Sequence, residues 1–325
     1  MFFDIAGAFD KVYHNGLIYK LIQYKIPFYI INILINFLKN RKFTVGVGTA
    51  TSSEFNITTG TPQGCPLSSI LFSLFINDIP SNIKKNITGS VLFADDLAYF
   101  NIYKTYSPAV ENHINKHLKS LESWLNKWRL KMAAHKCNYI VFEHYAAQQQ
   151  EFCIKLYDKI IMEDQNPKFL GVRFDKHLNF TNQINYIKKV CIDRMNIIKI
   201  LSNKTWQLTV KTLKSIYCTL VRSLMEYSAI LQPVIKKTNF NMLQIIQNNC
   251  IRSILKIEKI SIKRLHEIIE IEVLESRFFE LGTRYVISTL ETRNPLIMEL
   301  INEYKSYAGG RNLKINTLLC NKNIY

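Results

Sequence analysis

Between Gly171 and Gly282 the chain contains no glycine, and Pro233 is its only proline from residue 168 to residue 294. Sheets need turn residues every few positions, whereas a helix loses stability with each Gly or Pro in its interior. So long a stretch without that punctuation, rich in Leu, Ile and Lys, must be mainly helical. The preceding half alternates short apolar runs with Gly, Pro, Asn and Asp clusters, the pattern of mixed strands and helices. The contrast predicts an α+β chain with a domain boundary near residue 178.

Residues 1–6 read as a buried strand. Residues 11–24 and 27–39 read as helices, the second opened by Pro27 with Ile30, Ile31, Leu34, Phe37 and Leu38 at core-facing spacing. Phe43–Val47 and Phe55–Thr58 are expected to pair. Gly60 to Pro66 is a loop, with Pro66 where a helix over 67–77 starts. Ser107-Pro108 opens a helix to about Leu130, on which Trp124 and Trp128 share a core-facing side. His113 and His117 have the same spacing; without a third ligand nearby, a solvated face is the expectation. Strands are expected at Tyr139–Phe142, Phe152–Leu156, Lys159–Met162 and Phe169–Phe174. Gln148 to Gln150 reads as a hairpin loop and Gly309-Gly310 as a helix stop, and the last dozen residues are expected to fray.

Within the first half, Val91-Leu92-Phe93-Ala94-Asp95-Asp96-Leu97-Ala98 joins two apolar runs through adjacent carboxylates, predicting a tight β-hairpin with the acids at its tip. Two neighbouring aspartates repel each other and lose hydration when partly buried, so a nearby cation is the natural compensation. Oxygen-only ligands favour a hard ion such as Mg²⁺. Asp4, in its own short apolar run Met1–Ile5, is the candidate third carboxylate. A bare Asp-Asp pair is most often a solvated turn, but Phe93, Leu97 and Tyr99 are poor company for one.

The formal net charge of the 325 residues is +17. Residues 1–150 hold 15 basic and 9 acidic side chains, and residues 151–325 hold 27 and 16. A balance this basic suits a polyanionic partner, nucleic acid first. The seven cysteines are scattered singly, without a Cys-x-x-Cys pair, which argues for a reducing compartment and against a zinc ribbon. No apolar segment reaches the ~18 residues of a membrane span, and the N-terminus lacks a signal-peptide layout. A soluble intracellular protein of nucleus or cytoplasm, with no membrane partner, is expected.

Taken together, Phe3-Asp4 with Ala8-Phe9-Asp10, then Thr61-Pro62-Gln63-Gly64, then Phe93-Ala94-Asp95-Asp96 resemble three polymerase palm motifs in order. They are similar to the reverse transcriptases of non-LTR (LINE-type) retrotransposons. Trp128-Arg129-Leu130 with His135-Lys136-Cys137 and Val141-Phe142 resembles the next palm motif, and Phe169-Leu170-Gly171-Val172 the primer grip. Leu213 to Tyr227, and Ile245-Gln247-Asn248 with Arg252, are similar to the helical thumb and connector of insect-type elements. The resemblance covers about residues 1–260.

The resemblance implies a right-hand palm, an antiparallel sheet with packed helices, over residues 1–145. Primer-grip strands over 146–178 and an all-α thumb or connector over 179–325 would follow. It implies an RNA template, a DNA primer and deoxynucleoside triphosphates as partners, and two Mg²⁺ ions held by Asp4, Asp95 and Asp96. By the same resemblance Phe9 blocks a ribose 2′-hydroxyl, Gln63 and Gly64 lie under the templating base, and Lys136 protonates departing pyrophosphate. Phe169, Leu170 and Gly171 would hold the primer. Ser68-Ser69 stands where the family usually has Ser-Pro, and His135 and Cys137 replace Asn and Thr. The family also places a fingers region before the Asp4 strand, so an N-terminally truncated copy is expected. A non-catalytic nucleic-acid-binding remnant and a group II intron maturase are the competing readings.

Overall fold

The computed structural model describes residues 1–80, 88–103, 106–142, 152–293, 295, 298–299 and 301–302. The expectations for Gln148 to Gln150, Gly309-Gly310 and the last dozen residues lie outside these. The chain divides into two compact units, Met1–Leu170 and Gly171–Tyr325.

The first unit is built on a five-stranded sheet. Its strands are β1 (Phe2–Asp4), β2 (Thr88–Phe93), β3 (Asp96–Asn101), β4 (Asn138–Tyr139) and β5 (Met162–Glu163), in the spatial order β5-β4-β1-β3-β2. Every neighbouring pair is antiparallel except β4 and β5. Side chains alternate between faces along a strand. Phe3, Leu97 and Tyr99 therefore point together into the core, and Phe2, Asp4, Asp96 and Ala98 share the opposite face.

The buried face is covered by helices α1 (His14–Gln23), α2 (Phe28–Leu38), α3 (Pro66–Ile76) and α4 (Pro108–Lys127). Proline stands at the first position of both α3 and α4, where its missing N–H costs nothing. On α4, Ile114, Leu118, Leu121 and Leu125 recur at helical spacing and are buried, each contributing about 1.5–3 kcal/mol. His117 departs from the expected solvated face: it is buried and stacked on Tyr99, ring centroids 4.2 Å apart. Burial, and then neighbouring His113, holds its pKa below the ordinary value. Packing of α4 against the sheet puts this side of the helix inside.

Trp124 and Trp128 are core residues, as their spacing predicts, with an addition the sequence does not announce. They frame the buried Lys20 of α1, whose Nζ lies 3.9 Å from the Trp128 ring centroid and 4.6 Å from that of Trp124. The ammonium also donates to the Phe75 carbonyl and the Asp78 carboxylate. Burial lowers its pKa, partly opposed by Asp78. Aromatic faces and two acceptors together offset part of the desolvation of this charge.

The strand expected over Tyr139–Phe142 is confined to Asn138–Tyr139. Phe43 and Phe55 pair as expected within two short strands, Lys42–Phe43 and Phe55–Asn56.

The second unit is mainly helical, as the glycine-free stretch between Gly171 and Gly282 predicts. It holds α5 (Thr181–Leu201), α6 (Val210–Tyr217), α7 (Ser223–Glu226), α8 (Lys237–Leu255), α9 (Ile262–Ile269) and α10 (Leu274–Glu291). A π-helical turn, Cys218–Arg222, joins α6 to α7 without a break. Ile184, Ile187, Cys191 and Ile198 of α5 pack into one core with Leu243, Cys250 and Ile251 of α8. The buried polar residues of α8 are satisfied rather than orphaned. Tyr217 Oη donates to Gln247 Oε1 at 2.7 Å, and Gln247 Nε2 donates to the Glu272 carbonyl at 2.8 Å. Gln244 accepts from the Leu274 N–H and donates to Asn248 Oδ1, tying α8 to the start of α10.

Candidate active site

The hairpin of β2 and β3 closes through only Ala94 and Asp95, with Phe93 opposite Asp96. Asp95 thus sits in the turn, and Asp96 is the first residue of β3. The two acids do not share the tip as the sequence suggested. Ala94 takes φ 51°, a left-handed value that costs a non-glycine residue about 1–2 kcal/mol. Strain of this size persists where surrounding structure enforces it. Here the continuous ladder on both sides, from Thr88–Asn101 to Phe93–Asp96, does so.

On the other side of β3 the register sets Asp4 directly opposite Asp96. Side chains paired this way stand about 4.5–5.5 Å apart at Cβ, and like charges there repel. Burial, then Asp95, then Asp4 raise the Asp96 carboxyl above the usual aspartate range. The three carboxylates therefore interact electrostatically, Asp4 and Asp96 from the sheet face away from the core and Asp95 from the adjoining turn. Phe93 and Val91, on the outer strand of that face, are exposed.

One cation already reaches these carboxylates. Lys136 Nζ lies 3.1 Å from Asp4 Oδ2. The connection from α4 runs along β1: Ala6 N–H donates to the Lys131 carbonyl at 2.9 Å, and Ala133 N–H to the Asp4 carbonyl at 2.8 Å. A turn then closes from Lys136 N–H to the Ala133 carbonyl, delivering the lysine beside the acid. Phe169, the first primer-grip candidate, stacks on Phe2 with centroids 5.0 Å apart, two residues from Asp4 on the same face. Leu170, with φ 46°, ends the first unit and Gly171 opens the second.

Phe9, Gln63 and Gly64 belong to a second cluster. Phe9 begins a 3₁₀ turn, Phe9–Lys11, and stacks on the fully buried Phe72 with centroids 4.6 Å apart. The loop before α3 is fastened to this turn: Gly60 N–H donates to Val12, Thr61 N–H to Phe9, and Gln63 Nε2 to Asp10 Oδ1 at 2.9 Å. Gly60 has φ 81°, and a Cβ there would stand 2.7 Å from the Asp10 carbonyl oxygen. Gly64 has φ 82°, but a Cβ would meet nothing of the protein within 4 Å. Its backbone is open to an approaching ligand.

Sequence reasoning missed the residues that hold this cluster. Arg41 Nη1 donates to the Gly60 carbonyl at 2.7 Å, and His14 Nε2 lies 2.8 Å from the same oxygen. Neither stands within a recognisable motif; only Asp10, beside Phe9, lay close enough to one to be found.

The profile described as reverse transcriptase (RNA-dependent DNA polymerase) matches residues 1–174, which span both clusters. The chain belongs to the reverse transcriptase family. This reverse transcriptase chain is 27% identical over 262 residues to a probable RNA-directed DNA polymerase from transposon BS of Drosophila melanogaster. It is 26% identical over 260 residues to the RNA-directed DNA polymerase from mobile element jockey of the same species. Each match covers 78% of this chain and 28% of the relative. A probable RNA-directed DNA polymerase from transposon X-element is 28% identical over 190 residues, 58% of this chain and 20% of the relative. The chain thus spans under a third of the length of these relatives.

The donor set suits a hard divalent ion in kind: three carboxylates, no sulfur or imidazole, and mutual repulsion that a cation would relieve. Among the described residues no three acidic, His or Cys side chains converge as a metal cluster, and the cation on Asp4 is Lys136. Among the described residues no helix is long and apolar enough to cross a membrane.

Proposed function

We propose that this chain is an RNA-directed DNA polymerase of a non-LTR retrotransposon, extending a DNA primer on an RNA template with deoxynucleoside triphosphates. In this reading the first unit is the palm and the second the thumb and connector. The observation that carries it is the register of β1 and β3, which sets Asp4 opposite Asp96 with Asp95 in the adjoining turn. Two carboxylates paired across a sheet face, with a third in the adjoining turn, are costly for folding and useful for phosphoryl chemistry.

Asp4, Asp95 and Asp96 would hold two Mg²⁺ ions, which supply activation of the primer 3′-hydroxyl and neutralisation of departing pyrophosphate. The protein's part is positioning and charge. Asp4 and Asp96 are fixed by two paired strands, so their carboxylates stay aligned without a search. Lys136, on a turn bonded to the Asp4 backbone, holds a proton at Nζ for the leaving group. Phe9, braced by Phe72, presents a flat apolar edge that leaves a ribose 2′-hydroxyl unsolvated and unpaired. Gln63 and the open backbone of Gly64 support the templating base, and Phe169, Leu170 and Gly171 the primer.

The test is primer extension on an RNA template with Mg²⁺, comparing the chain with its Asp95→Asn variant. Extension that the variant loses supports the reading. Equal extension by both overturns the metal assignment. Binding without extension by either favours a non-catalytic remnant of the fold.

A further inference from the structure

The second unit contains an open cavity of about 400 Å³ lined by Lys199, Ser202, Asn203, Lys204, Ser253 and Lys256. Its walls come from three segments: the last turn of α5, the 3₁₀ turn Lys204–Trp206, and the end of α8. The C-termini of α5 and α8 therefore meet here.

A structural explanation for the lysines must be weighed first. Each helix C-terminus carries about half a negative charge, which a lysine can offset. Two such ends amount to roughly one negative charge against three ammonium groups, leaving about two positive charges uncompensated. Among the described residues none of the three lysines has a carboxylate within ion-pair distance. The hydroxyls do not supply negative charge either: Ser202 donates to the Ile198 carbonyl and Ser253 to that of Asn249. Asn203 Oδ1 is engaged by the Thr205 N–H, which orients its amide nitrogen away from that contact as a further donor.

A second observation stands apart from the cavity. From Arg194 to Ile257 the chain has ten Lys or Arg residues and one acid, Glu226. That acid is consumed by Arg222 and Arg277, at 2.7 and 2.9 Å. Arg194 and Lys214 of this run spend donors on the Leu220 and Glu270 carbonyls, and Asp193 stands on α5 just before it, yet basic residues still far outnumber acids along the chain that forms the cavity. Lys256 adds to this, since it takes φ 57° just after α8, where glycine would cost less.

We propose that this cavity is a subsite for backbone phosphates of a nucleic acid, with Lys199, Lys204 and Lys256 as its charged contacts and the Asn203 amide as a neutral donor. The choice of nucleic acid among polyanions rests on the polymerase reading. The cavity lies in the other unit from the three aspartates, so the subsite contributes affinity and register rather than chemistry.

The test is the salt dependence of binding, measured by fluorescence anisotropy with the full chain and a labelled primer–template duplex. Each lysine–phosphate contact adds about 0.9 to the slope of log K against log salt, so Lys199→Gln/Lys204→Gln/Lys256→Gln should lower it by about 2–3. The same three positions changed to Arg should retain the slope. A fall below about 0.5 in the Gln variant overturns the subsite. Circular dichroism confirms folding; should the triple variant unfold, each exposed lysine changed singly to Gln must lower the slope by about 0.9. Binding is read without turnover. A slope that depends on these lysines while no protein extends a primer would leave the subsite standing and the polymerase reading fallen.

Discussion

Lys136 Nζ stands 3.1 Å from Asp4 Oδ2, on a turn that is itself hydrogen-bonded to the Asp4 backbone. The two residues are far apart in sequence, and the pair is partly solvated. Exposed ion pairs stabilise a fold by at most about 1 kcal/mol, so this contact does little for stability. It instead places an ammonium where a divalent ion would compete with it.

Lys136→Gln should therefore leave the melting temperature almost unchanged. It should lower the Mg²⁺ concentration needed for half-maximal primer extension, because the competing charge is gone. Maximal extension should fall by about 10²-fold if the ammonium protonates the leaving group. A Mg²⁺ titration of extension rates checks both parts, and an unchanged half-maximal concentration would count against competition at Asp4.

Asp96 carries a raised pKa, caused first by burial and then by Asp95 and Asp4. In the folded chain this carboxyl binds its proton more tightly than in the unfolded chain. Stability from this group is thus present at low pH and is lost as pH rises through the window from the ordinary aspartate range to the raised value. Asp96→Asn removes the charge that develops across this window. Melting curves should show the variant more stable than the parent above that window, with the difference closing as pH falls below it.

Phe9 stacks on Phe72, so Phe9→Ala should destabilise the first unit by up to about 3 kcal/mol. A purely structural phenylalanine would show only that. If it also blocks a 2′-hydroxyl, ribonucleotide incorporation relative to deoxynucleotide should rise about tenfold for each 1.4 kcal/mol of clash relieved. Competitive incorporation assays separate the two roles.

Gly60 and Gly64 share a left-handed backbone but differ in what surrounds them. Gly64→Ala should cost about 1 kcal/mol of backbone strain. Gly60→Ala adds a clash with the Asp10 backbone and should cost roughly 1–3 kcal/mol more. Denaturant midpoints test the ranking. Extension by Gly64→Ala should drop more than its stability does, since a ligand is all that the new methyl group can obstruct.

Tyr217→Phe removes the hydroxyl that donates to Gln247 Oε1, leaving a buried acceptor unpaired. The expected cost is about 1–3 kcal/mol, read as a shifted urea midpoint with an unchanged slope.

Much of this architecture is legible in the chain itself. The glycine-free and nearly proline-free stretch from Gly171 to Gly282 favours a mainly helical second unit, because the strongest turn formers are missing from it. Proline at the first position of α3 and α4, and the alternation around the aspartates, locate their elements for the same local reason. Asp4, Asp95 and Asp96 stand out as candidates because carboxylates inside apolar runs are costly anywhere.

Tertiary structure alone decides which distant residues share a face. The pairing of β1 with β3 turns Asp4 and Asp96 into neighbours, and a shift of one residue would send Asp4 into the core. The connection after α4 brings Lys136 to Asp4, and packing of α4 on the sheet buries His117, which local spacing had placed in solvent. Arg41 on the Gly60 carbonyl and Lys20 inside its tryptophan frame carry no sequence signal at all. Periodicity and turn chemistry act over a few residues and are written in order along the chain. Contacts between segments depend on how whole elements pack, and no short stretch of sequence encodes that.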